Sequence, residues 1–128
     1  MTEQAIKRWE GLSISGELRM GVWYAGQRHK TFIIRVPVAG DLIGAQEEHP
    51  GAPLQLVTLE VYRRQLLALG DIPLDVLTTD LLREELAESD LAIIADADAE
   101  LEKKLAPPSA ATSIGVESST PLSASDTV

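Results

Sequence analysis

Apolar residues alternate with polar ones up to Pro37 and recur at helical spacing after it, and this switch constrains the fold more than any other feature. A period of two belongs to a half-buried strand and a period near ~3.6 to an amphipathic helix. Leu12-Ser13-Ile14-Ser15 opens one strand, which Leu18 and Met20 continue and Gly21-Val22-Trp23-Tyr24 extends. Ala25 to His29 supplies a turn, with Gly26 the natural site of a positive φ. Thr31 to Val36 is the return strand, rich in β-branched residues and stopped by Pro37, which cannot donate to a ladder. Two strands alone are marginal in water, so the hairpin has to pack on the helices after it or pair with another chain.

Beyond Pro37 the spacing predicts a run of helices. Gly40 permits a reversal and Asp41 is placed to cap a short helix ending near Gln46. Glu47 to Pro53 breaks the chain with two prolines and a glycine. Residues 54–69 carry a broad apolar face, including Leu56, Leu59 and Leu66, and Gly70 stops it. Thr78 or Thr79 caps a helix from Asp80 to Glu88, and Ser89 caps a longer one from Asp90 to Leu105. Leu91, Ile94 and Leu101 mark the apolar line of that last helix, with Asp90 in its first turn and Lys103 and Lys104 in its last, as the helix dipole favours. Residues 106–128 differ: twelve of the 23 are Ser, Thr or Pro and no period emerges, which predicts a disordered tail. The expectation is a single α+β domain over residues 1–105, an N-terminal β-hairpin followed by three to four short helices, with a disordered C-terminal tail.

Charge divides along the same line. Residues 1–40 hold six basic and three acidic side chains, whereas residues 71–104 hold eleven acidic and three basic ones. The net charge of −9 argues against nucleic acid or an anionic membrane as a sequence-wide partner. With no cysteine there is no disulfide framework, thiolate zinc site or cysteine nucleophile. No apolar run approaches the roughly 20 residues that span a bilayer, and the charged Met1–Glu10 segment has no apolar signal core, so a cytoplasmic domain is expected.

Few residues suggest chemistry. His29 falls in a turn and His49 in the Pro-Gly break, neither with a ligand partner at helical spacing. Asp96-Ala97-Asp98-Ala99-Glu100 alternates like a calcium loop but lacks its central glycine, and reads as a solvated helix face with Asp98 nearest the core. Gly11, Gly16, Gly21 and Gly26 recur every five residues, as bulges and turns of a hairpin would. Neither a nucleophile elbow nor a glycine-rich phosphate loop is present, so no catalytic residue, cofactor or metal is expected. An interaction protein remains.

Arg35-Val36-Pro37-Val38-Ala39-Gly40-Asp41-Leu42 resembles a segment of the tail assembly chaperones of Mu-like phages and prophages, in which a strand ends in Arg-x-Pro-x-x-Gly-Asp-Leu and helices follow. Leu67 to Pro73, Leu77-Thr78 and the Asp90 to Leu105 helix look like the later part of that family, so the likeness spans roughly residues 12–105. Val38 stands where the family commonly has threonine, and the tail is outside the pattern. The resemblance implies a non-catalytic chaperone that binds the tape measure protein and helps recruit major tail tube protein, acting in the host cytoplasm and absent from the mature virion. Arg35, Pro37, Gly40, Asp41 and Leu42 would then form a structural corner or a partner contact. Leu56, Leu59, Leu66, Leu91, Ile94 and Leu101 are the candidate partner-binding faces, and self-association is a further expectation. The alternative is a small acidic phage-encoded inhibitor of a host protein, acting by charge mimicry and distinguished by its steep loss of binding with salt.

Overall fold

Ala25 and Gly26 both adopt positive φ, 54° and 81°, which turns the chain in two residues and joins β1 (Ser13–Tyr24) to β2 (Gln27–Arg35). Such a turn matches the right-handed twist of the strands it connects. The computed structural model describes residues 3–105; the expected disordered tail, residues 106–128, lies outside the described residues. A short helix, α1 (Glu3–Arg8), precedes the hairpin. After it come α2 (Ala39–Glu48), α3 (Leu54–Gln65), β3 (Leu66–Leu69), α4 (Thr79–Glu85) and α5 (Glu88–Leu105). The fold is α+β, as the sequence predicts, with a three-stranded antiparallel sheet in the order β1-β2-β3.

The third strand corrects the reading of residues 54–69 as one helix. The helix ends at Gln65, and Leu66 to Leu69 pair with β2, Phe32 opposite Leu69 and Ile33 opposite Ala68. Leu-Leu-Ala-Leu favours a helix locally, but the free edge of β2 offers buried backbone groups that need partners. Leu66, Leu67 and Leu69 are all buried there, so satisfying that edge and filling the core coincide.

The β1–β2 register breaks where four residues of β1, Leu18 to Gly21, stand opposite Lys30 alone. This bulge frees the N–H groups of Arg19, Met20 and Gly21, and the Asp90 carboxylate of α5 accepts all three, at 2.8, 3.1 and 3.0 Å. Gly21 has φ 82°, and a Cβ there would sit 2.8 Å from the His29 carbonyl oxygen, so the bulge requires glycine. Leu18, Val22, Phe32 and Ile34 of the sheet, Leu82 of α4 and Ile94 of α5 share one core. Among the described residues, no helix is long and apolar enough to cross a membrane.

Candidate functional site

The Arg35–Leu42 segment is a corner held from inside. The Arg35 guanidinium grips both carboxylate oxygens of Asp41, at 2.8 and 3.0 Å, and also donates to the backbone oxygens of Arg64 and Val36. Asp41 is the third residue of α2 rather than its cap, and it accepts from the Val38 N–H at 2.8 Å. Burial alone would raise its pKa; Arg35 and the Val38 amide outweigh this and hold it below the ordinary carboxylate value. Trp9 stacks against two guanidiniums, those of Arg8 and Arg35 each 4.9 Å from its ring centre. Pro37 follows the end of β2, whereas Gly40 lies in the first turn of α2 with no reversal, and Leu42 is half-exposed at 49%. Arg35 and Asp41 therefore build the corner that docks α2 on α3, while Pro37, Gly40 and Leu42 are on the surface.

The buried polar groups are likewise committed to structure. Glu60 of α3 is fully buried and receives Arg63 at 2.6 Å, Arg64 at 2.7 Å and the Thr79 hydroxyl. Burial would raise its pKa, but these donors bring it down to about 2. Thr78 caps α4 through the Leu81 N–H, which leaves Thr79 free for this contact. Glu48, His49 and Glu60 bring potential metal ligands within 4.8 Å of one another. The two guanidiniums already on Glu60 neutralise its charge and repel a cation, so the chemistry of the set does not suit one. His29 is not the exposed turn residue that the sequence suggests. Its ring is buried between the Tyr24 carbonyl, 3.0 Å from Nε2, and the Asp71 N–H, which donates to Nδ1 at 3.1 Å. Asp98 does sit at the edge of the core, where it accepts from the Gln65 side chain at 2.9 Å.

The open feature is an apolar groove where α3, α4 and α5 meet. One part, about 430 Å³, is lined by Leu56, Leu59, Leu82, Leu86 and Leu91, with Arg83 and Glu88 beside them. A second, about 560 Å³, continues between α3 and α5 along Thr58, Tyr62, Ala92 and Ala95, again past Glu88. Of the residues expected on partner-binding faces, Leu56, Leu59 and Leu91 line this groove. Leu66 lies on β3, and Ile94 and Leu101 are fully buried against the sheet, so these three belong to the core instead. Ile94 and Leu101 face inward, whereas Leu91, partly buried at the edge of the core, and Ala92 and Ala95 line the groove. That lining was present in the sequence but carried mostly by alanine, which hydrophobicity weights lightly. Comparison of the chain with protein-family models, with curated proteins and with solved structures found no match.

Proposed function

We propose that this protein is a non-catalytic phage tail assembly chaperone, which binds the tape measure protein and helps recruit tail tube subunits during morphogenesis. It acts in the host cytoplasm and is left out of the finished virion. The observation that carries this reading is the groove between α3, α4 and α5, an open apolar channel lined by leucines at one end and by Tyr62 and alanines at the other. Exposed apolar helices of a partner awaiting assembly dock in such a channel through side-chain packing. The acidic residues on the outer sides of α4 and α5 keep the loaded complex soluble and oppose wrong association. Asp41, Glu60, Asp90 and His29 are engaged by internal partners, and the one buried side-chain nitrogen without a hydrogen bond among the described residues, His49 Nε2, stands 3.5 Å from Glu60, which supports a holding role over a catalytic one.

The test is co-expression with the tape-measure-length protein encoded next to this gene. The expected result is that the long protein stays soluble and co-purifies; equal solubility without this chain refutes the reading. Capture of a basic host protein that is lost steeply as salt rises supports the charge-mimicry inhibitor instead.

A further inference from the structure

Resting on the reading of the groove as the docking site, we infer that the segment it takes is a cationic amphipathic helix. The walls of the groove determine the secondary structure of its occupant. Beyond their first turns α3 and α5 present only side chains there, because their backbone groups are bonded within each helix, so a strand laid along the groove would leave most of its own N–H and C=O groups without partners. A helix brings its backbone already satisfied. Ala92 and Ala95 on the floor keep the α5 side low, which lets the backbone of an incoming helix approach closely.

Charge determines the flanks of the occupant. Glu88 borders both parts of the groove, and Asp98 and Glu102 lie close enough to Tyr62 to help burial raise the pKa of its hydroxyl. Glu88 and Glu102 have no ion-pair partner among the described residues, and Arg83 is the one basic lining residue among them. The α5 residues that line the groove, Glu88 to Ala95, span about 10 Å, and Asp98 and Glu102 carry the same side of the helix on to about 20 Å, roughly four helical turns. The complementary ligand is a helix of that length with a Leu/Ile stripe and Lys or Arg at the edges of the stripe. Residues 106–128 of this chain contain Glu117 and Asp126 and no basic residue, so they carry the wrong sign. A second copy offers acidic α4 and α5; the six basic residues of its first 40 positions lie on the strands β1 and β2, which are not helical, and on α1, which is only six residues long.

Fluorescence anisotropy of the full chain with three labelled peptides of about 15 residues tests this, all with one leucine stripe but flanked by Lys, Gln or Glu. The Lys-flanked peptide is expected to bind about tenfold more tightly than the Gln-flanked one, with the Glu-flanked peptide weakest. The double change Glu88→Lys and Glu102→Lys, both on the surface, should invert that order. Ala92→Trp, at an exposed position, should block all three peptides while far-UV circular dichroism stays unchanged. Raising salt from about 0.1 M to about 1 M should weaken binding less than about tenfold, since the apolar floor supplies most of the affinity. Equal affinity for the three peptides, or binding that survives Ala92→Trp, overturns the inference. So does a groove filled by a second copy, seen as an oligomer that Ala92→Trp dissociates, or by residues 106–128, seen as tighter peptide binding on their deletion. Co-purification of the tape measure protein with no peptide preference removes this inference and leaves the chaperone reading; the reverse result does the opposite.

Discussion

Asp90 and Glu60 are both fully buried carboxylates, one at the start of α5 and one in the middle of α3, and they are satisfied by different kinds of donor. Asp90 takes three backbone N–H groups released by a bulge of β1; Glu60 takes two guanidiniums and a hydroxyl. Backbone donors cannot swing away when their acceptor is removed, whereas the Arg63 and Arg64 side chains are about a quarter exposed and can turn to water. The first carboxylate therefore holds an irregular backbone in place, and the second is neutralised by adaptable side chains of its own helix and meets α4 through the Thr79 hydroxyl.

The sharpest way to break that comparison is Asp90→Ala. It strands the buried Gly21 amide together with the part-buried amides of Arg19 and Met20 and should cost about 2–4 kcal/mol in chemical denaturation, with Asp90→Asn recovering part of the loss. Acid comes next. The pKa of Glu60 is near 2 when folded and 4.5 is its ordinary value, so its contribution is fully present above about pH 4.5 and is lost as pH falls toward 2. That loss should amount to about 3 kcal/mol between pH 7 and the acid limb, and Glu60→Gln should flatten it. Thr79→Val removes the one neutral donor on Glu60 and should cost only about 1 kcal/mol, because the guanidiniums remain. A larger loss would show that buried Glu60 depends on the α4 hydroxyl more than on the guanidiniums of its own helix. Smallest is Ala25→Gly in the turn of the same hairpin that Asp90 anchors. Relieving a left-handed alanine at φ 54° should stabilise by about 0.5–1 kcal/mol, seen as a rise in the denaturation midpoint.

Several elements could be read directly. Gly26 makes the turn, Pro37 follows the end of β2, and Thr78 caps α4, each through a preference that acts within a few residues. The α5 helix, with Asp90 early and Lys103 and Lys104 late, also runs nearly as expected. Leu66 to Leu69 defeated the same reasoning because their helical propensity was local and the demand of the β2 edge was not. His29 looked like a loop residue because the turn is two residues long rather than five, which draws it into β2 and beneath the Asp71 amide. In the Arg35–Leu42 segment, Pro37 and Asp41 were visible as the end of a strand and the start of a helix. The grip of Arg35 on Asp41 was not, since it depends on the docking of α2 against the Arg64 backbone.

The sequence by itself determined where the hairpin gives way to helix near Pro37, how charge divides between the hairpin and the later helices, and where α4 and α5 run along the chain. Those properties arise from steric and solvation preferences that each residue expresses in its own neighbourhood. Only the tertiary structure decided that Asp90 reaches a bulge some seventy residues away, that Glu60 collects its donors, and that Leu56 and Leu91 stay partly open, with buried Leu59 behind them, while Leu66, Ile94 and Leu101 are covered. Periodicity tells which residues share a face; whether another element packs on that face depends on the rest of the chain, and here the meeting of α3, α4 and α5 leaves a groove open between them.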